Sequence, residues 1–190
     1  MLRILAIADR PPQRPIAETL AARSIDAIIT LGDLGLAELR GLDAVTHIPK
    51  MGVYGNHCSG TYFPQLGITN LHRTTVMYRG VTFGGFEGSV RYKQSPYSKM
   101  YSQEEADALL ADAPRVDVLC VHCPPYGIND EPDDLAHQGF RALRMYCENQ
   151  RPKYLLHGHT YPTEQQLVRR YQDTEIIYVF SDRVLELDLP

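Results

Sequence analysis

The 190-residue sequence has no apolar run approaching the roughly 18 residues that a membrane-spanning helix requires, so membrane insertion is not expected. Its four cysteines, Cys58, Cys120, Cys123 and Cys147, are too sparse for a disulfide framework and read as thiols in a reducing compartment. The apolar core of Met1–Ala8 is too short for a secretory signal, and Asp9-Arg10 follows it without a small-residue cleavage pattern; a cytoplasmic location is expected. A basic excess is missing as well. The net charge of -4 and a pI near 6.0 give no field for an extended grip on DNA or RNA, although a local site for a small anion stays open. No Gly-x-x-x-x-Gly-Lys loop is present, which leaves a nucleotide-binding switch of that type without support. Internal repeats and low-complexity linkers are lacking too. With 44% hydrophobic and 22% charged residues, a single globular domain over residues 1–190 is expected.

What the chain does have is a series of short apolar runs, each stopped by a polar residue. Leu2–Ala8 reads as a parallel strand buried on both faces, and it stops at Asp9. Pro11, Pro12 and Pro15 stiffen the next loop, and a short helix over Ile16–Arg23 is entered through Pro15. Ile25–Leu31 is a second strand, ending in Gly32-Asp33. Leu36–Leu42 reads as helical. Val45–Tyr54, interrupted by Pro49, returns to the sheet and delivers Gly55-Asn56-His57. Val116–Val121 ends in His122 before Pro124-Pro125, and Tyr154–Leu156 runs into His157-Gly158-His159.

The second half adds Thr75–Tyr78 and Val81–Phe83 around a hairpin turn at Arg79-Gly80. Ser102-Gln-Glu-Glu105 is a capping box opening a helix to Ala111, and Phe140–Cys147 has apolar positions at helical spacing. Gln165–Leu189 alternates in short strands and suggests an antiparallel meander. Residues 86–101 interleave Arg91, Lys93 and Lys99 with Tyr92, Tyr97 and Tyr101. They read either as a solvated loop with tyrosines packed down or as a clamp on a nucleotide-like phosphodiester.

Five strand ends thus carry Asp9, Asp33, Asn56-His57, His122 and His159. In α/β sheets ligands bind outside the carboxyl ends of the strands, so these side chains are expected to converge on one crevice. Two carboxylates in a poorly solvated crevice repel each other unless a cation lies between them. Carboxylate, amide oxygen and imidazole together suit Mn, Fe or Zn better than Mg or Ca, which prefer all-oxygen shells.

The ordered set Asp…Gly-Asp…Gly-Asn-His…His…Gly-His, from Asp9 to Tyr161, resembles the calcineurin-like metallophosphoesterases. Asp117–Gly127 and His137-Gln-Gly139 followed by Arg141–Arg144 look like the branch of small, cap-less phosphodiesterases. The resemblance implies an α/β (α+β) fold, a four-layer αββα sandwich of two mixed β-sheets flanked by helices. It implies a metal-dependent phosphoesterase, most readily a phosphodiesterase, in which activated water attacks a small phosphoester in line. Asp33 would be the carboxylate bridging two metals, and Asn56, His122 and His159 would complete the second-metal site. His57 would face the scissile phosphate and protonate the leaving oxygen. A histidine merely satisfied by a backbone carbonyl is the structural alternative.

The first-metal site departs from that pattern. Asp-x-His is here Asp9-Arg10-Pro11, and Gly-His-x-His is Gly158-His159-Thr160-Tyr161, so two imidazoles are lost together. Tyr161 would bind a metal only as a phenolate, at a cost set by its ordinary pKa of about 10. The position after Gly-Asn-His, acidic in the family, is Cys58. One retained divalent ion is therefore expected, two being the alternative, with Asp9 a further candidate metal ligand beside Asp33, Asn56, His122 and His159. Arg10 stands where part of the missing charge would be and can hold phosphate oxygens bidentately, or pair with Asp9, or lie in solvent. His137 and Arg91 are candidate substrate-binding groups. Cys58 and Cys123 are candidate thiolate ligands; Cys120 and Cys123 alone do not make a structural zinc site. His157 is either an orienting neighbour or a packed strand-end residue, and His47 and His72 read as structural or exposed. The competing class is a catalytically weakened relative that binds metal or phosphate as a regulatory or interaction module.

Overall fold

Alternation along the first strand sets the layers. The computed structural model describes residues 1–58 and 62–189. In β1 (Leu2–Ala8), Leu2, Ile4, Ala6 and Ala8 face one apolar cluster while Leu5 and Ile7 face another, the period of two that a pleated strand imposes. The first cluster also holds Val81, Phe83, Val118, Cys120, Leu156 and Ile177, so it is the seam between two sheets. The second holds Ile16, Leu39, Phe63 and Leu66 and lies under α1 (Ile16–Ala22) and α2 (Phe63–Leu66). A third cluster, with Phe86, Val121, Leu143, Tyr146 and Leu155, lies under α3 (Gln103–Leu110) and α4 (Arg141–Gln150). Helices, sheet, sheet and helices thus form a four-layer αββα sandwich.

The first sheet runs β13-β1-β2-β3-β4, where β2 is Ala27–Thr30, β3 is Lys50–Gly52, β4 is Thr69–Asn70 and β13 is Ser181–Leu187. β1 to β4 are parallel and β13 is antiparallel to β1. The second runs β11-β12-β10-β9-β6-β5, where β5 is Val76–Tyr78, β6 is Val81–Phe86, β9 is Val118–Val121, β10 is Tyr154–His157, β11 is Arg170–Tyr171 and β12 is Thr174–Tyr178. Its four inner strands are parallel and its two outer ones antiparallel. A small parallel pair, β7 (Ser89–Val90) with β8 (Met100–Tyr101), stands apart. Both sheets are mixed, as the sequence implied.

Local chemistry explains several elements directly. Arg79 and Gly80 have φ of 49° and 77°, the paired left-handed residues that close a two-residue hairpin between β5 and β6. Ser102 accepts from the Glu105 amide while the Glu105 carboxylate accepts from the Ser102 amide, completing the capping box of α3.

Two expectations need correction, and residues 86–101 bear on a choice between two readings. Leu36–Leu42 is a run of turns, because Gly41 at φ 87° breaks the backbone before a second helical turn forms; Leu39 and Leu42 are buried all the same. Gln165–Leu189 is not one meander: β11 and β12 pair, but after Phe180 the chain leaves the second sheet and β13 joins β1 in the first. In residues 86–101 the groups of the clamp reading are largely engaged internally, in favour of the loop, although Tyr97 is exposed and not packed down. Arg91 is bound to Glu105 at 2.5 Å, Lys99 to Glu87 at 3.3 Å, and Tyr101 donates to Glu87.

Gly32 is the joint on which the two sheets meet the site. Its φ is 96°, and a Cβ there would lie 2.6 Å from both the Gly55 Cα and the His122 Nδ1. Gly32→Ala is expected to lower stability by about 2 kcal/mol or more through left-handed strain and overpacking. Urea unfolding checks this, and an unchanged midpoint would refute it.

Candidate metal centre

Three of the polar strand ends share an unusual backbone. Asp9, Asp33 and His159 have φ of 62°, 53° and 71°, left-handed values that cost a non-glycine residue about 1 kcal/mol or more. They persist because they are tied to one another and to neighbouring strand ends. The Asp9 amide donates to Gly32 O at 3.1 Å, and the His159 amide donates to the Asp9 carboxylate at 3.0 and 3.2 Å. The His57 amide donates to Asp33 Oδ1 at 2.8 Å. Gly158 lies so close to Asp9 that a Cβ on it would be 2.5 Å from Oδ2.

Against this frame β9 delivers His122, wholly buried. Its Nδ1 lies 2.7 Å from Leu31 O, to which it donates. Its Nε2 lies 3.0 Å from Asn56 Oδ1 and 3.5 Å from Asp33 Oδ2. The His159 ring stands 4.8 Å from that of His122, and its Nε2 donates to Ala136 O at 2.9 Å, which leaves Nδ1 with the lone pair. One ligand atom each from Asp33, His122 and His159 lies within 4.8 Å of the other two. Asn56 adds an amide oxygen to the same point. Both imidazoles are therefore oriented by backbone carbonyls, the arrangement that fixes a ligating tautomer. The donor set, one carboxylate, one amide oxygen and two imidazoles, fits a divalent ion of the Mn, Fe or Zn type.

Electrostatics follow from the geometry. Burial disfavours a charged His122, but the Asp33 and Asp9 carboxylates outweigh it and hold the imidazole up at about 9. Burial would raise Asp33, yet His122, by charge and hydrogen bond, and the His57 amide hold it well below the usual carboxylate range. Burial pushes Asp9 up to about 6, with Asp33 adding to the rise against the pull of His122. His159 is pushed down, first by burial and then by the His122 charge, so it stays neutral and able to ligate. The pattern is that of a pocket short of one positive charge.

The other sequence candidates divide. Asp9 stands beside the ligand group, its carboxylate held by the His159 amide, and is not among the three whose ligand atoms converge. Arg10 is exposed, and no hydrogen bond or ion pair of its side chain is found among the described residues, though its charge acts on Asp9 and Tyr161. His57 is exposed next to Asp33. His137 is bound to Asp134 at 2.6 Å, and its ring lies 5.7 Å from His159 and 6.1 Å from Tyr161. Arg91 is taken by Glu105 and Met100 O, with no contact to the cluster among the described residues.

Tyr161 is 56% exposed, and its phenol is pushed up by burial and by Asp9, so it is a neutral hydroxyl and a poor replacement for an imidazole. Cys58 is a packed thiol accepting from the Gly55 amide and facing Tyr62, and burial pushes it up; Cys123 is raised likewise. Neither has thiolate character. His157 is buried, receiving Asn129 Nδ2 at 3.0 Å. The orienting carbonyls of Leu31 and Ala136 had no sequence signal, because every residue carries one.

Comparison with known proteins bears on the fold and the family. Two solved structures, superimposing with TM-scores of 0.63 and 0.59 at 15% and 16% identity, show the same fold. The first covers 92% of this chain and 89% of its own; the second, TT1561 of Thermus thermophilus, covers 95% and 89%. No curated protein matches the chain. Residues 14–162 match the model of the calcineurin-like phosphoesterases, a span that starts beyond the altered Asp9-Arg10-Pro11 and takes in Asp33, Asn56, His122 and His159, and the chain belongs to that family.

Proposed function

We propose that this protein is a phosphodiesterase that works with one divalent ion, Mn, Fe or Zn, held by Asp33, Asn56, His122 and His159, and that it hydrolyses a small phosphoester. Family membership supports a metal-dependent phosphoesterase. The observation that carries the finer reading is the convergence of Asn56 Oδ1 and Asp33 Oδ2 on the His122 Nε2 within 3.5 Å, with the other ring nitrogen already committed to Leu31 O. Three electron-pair donors around one point call for a cation. When bound, such an ion polarises the phosphoryl group and acidifies water enough to supply a nucleophile at neutral pH.

The chain's own groups complete the site. His57, exposed and anchored through its amide to Asp33, is placed to neutralise charge on the phosphate and to pass a proton to the leaving oxygen. Arg10 supplies an exposed guanidinium on the Asp9 side, where the ion of the family's first-metal site would add charge. Asp9 acts by holding the His159 backbone, and Asp134 fixes the ring of His137 beside His159.

Elemental analysis of protein purified without chelator is expected to give one metal per chain, and Asn56→Ala is expected to lose it. Two equivalents would overturn the single-ion reading. With a chromogenic phosphodiester and Mn, His57→Ala is expected to lower kcat about 100-fold while keeping its metal. Arg10→Ala is expected to raise KM about tenfold, the scale of one lost charge-assisted contact. No metal-stimulated turnover above the Asn56→Ala background would leave a binding module instead.

The metal-free protein should also carry a pH signature. His122 is held at about 9 in the fold, above its ordinary 6.5, so the fold binds an extra proton between those values and loses stability as pH rises through them. Asp9, raised to about 6 from 3.8, acts in the same direction in its own lower window. In chelator the urea midpoint is expected to fall from pH 6.5 to 9. Mn affinity is expected to rise across the same window with proton release, because the ion displaces that proton. A midpoint flat in pH would refute the account.

A further inference from the structure

A cavity of about 520 Å³ opens beside the proposed centre, within the range that binds small molecules. Its lining includes Thr160 and Tyr161, which follow His159 directly, and Asn129, Asp130 and Glu131, with Thr160 Oγ1 donating to Asn129 O at 2.6 Å. The His137 ring packs between this lining and the centre, 6.1 Å from the Tyr161 ring and 5.7 Å from that of His159. Ligand atoms of Glu131, Asp134 and His137 lie within 4.8 Å of one another. No lysine, arginine or histidine is among the described residues that line it. A second phosphate or a carboxylate would find no counter-charge there.

The lining is instead acidic and aromatic. The Asp130 carboxylate is engaged by the amides of Gly127 and Gly139 and lies near Arg144, which is itself bound to Glu148 and Tyr171. Glu131 is exposed, and His137, which has a ligand atom within 4.8 Å of it, is already bound to Asp134. Tyr161 offers a largely exposed ring, held edge-on to Phe180 at 5.7 Å and to His137 at 6.1 Å, and an aromatic face attracts a cation.

We propose that this cavity receives the alcohol portion of the substrate and that Glu131 and Tyr161 select a cationic alcohol, an amino alcohol in chemical class, over an anionic one. The inference rests on the phosphodiesterase reading and adds the substrate class to it.

Three phosphomonoesters of similar length test the selection: phosphoethanolamine, ethyl phosphate and phosphoglycolate, whose alcohol portions are cationic, neutral and anionic. Titrated calorimetrically into the Mn-loaded protein, phosphoethanolamine is expected to bind about tenfold more tightly than phosphoglycolate, twice the effect of one exposed charge pair, with ethyl phosphate between. Glu131→Gln is expected to cut that ratio to about threefold, and Tyr161→Ala to weaken phosphoethanolamine more than ethyl phosphate. Equal affinities, a preference for phosphoglycolate, or a ratio unchanged in Glu131→Gln would overturn the proposal, as would turnover of a chromogenic diester with none of the three esters bound. If the rank order holds while no diester is hydrolysed, the cavity's selectivity stands and the catalytic reading falls.

Discussion

The site is governed by a shortage of protons. Once the His122 Nδ1–H is given to Leu31 O, the Nε2 lone pair faces the Asn56 amide oxygen and the Asp33 carboxylate at hydrogen-bond range. Lone pairs so crowded in a buried place repel, and a positive charge must enter. Without an ion, a second proton on His122 fills that need, which is why the imidazole is held at about 9 although wholly buried. Proton and metal are alternatives for one position. The raised His122 and the candidate metal centre are two expressions of one arrangement.

The two sheets make that arrangement possible because their strand ends meet at the seam. β2 ends at Gly32-Asp33 in one sheet and β9 ends at His122 in the other, and Gly32 has no side chain because the His122 ring and Gly55 occupy its place. Left-handed Asp9, Asp33 and His159 turn the chain sharply as it leaves each sheet. Each turn carries strain, but each is held by a bond to a neighbouring strand end, so the frame is rigid before any ligand arrives.

Much of this was legible along the chain. Apolar runs of four to seven residues ending in Asp9, Asp33, His122 and His157-Gly158-His159 are local patterns, and β1, β2, β9 and β10 follow them. The capping box of α3 and the Arg79-Gly80 hairpin are equally local. What failed depended on distant partners. The strand β13 alternates like part of a meander, but only the free edge of β1 decides which sheet it joins. Arg91 looks like a free cation until α3 brings Glu105 to it. Leu36–Leu42 fails for a local reason, Gly41, whose effect competes with an apolar spacing that the buried Leu39 and Leu42 still satisfy.

The altered half of the site bears on the proposed single ion. Where the family pattern would place an imidazole two residues beyond His159, Tyr161 turns its ring outward against His137 and Phe180. Asp9, left without those partners, is not idle: both its oxygens accept the His159 amide, so it acts on the remaining ligand through the backbone. Its carboxyl rises to about 6 because burial is met by too little positive charge, chiefly from His122 and more weakly from Arg10. On the proposed single-ion reading the Asp9 carboxylate braces His159, and the braced His159 completes the proposed centre.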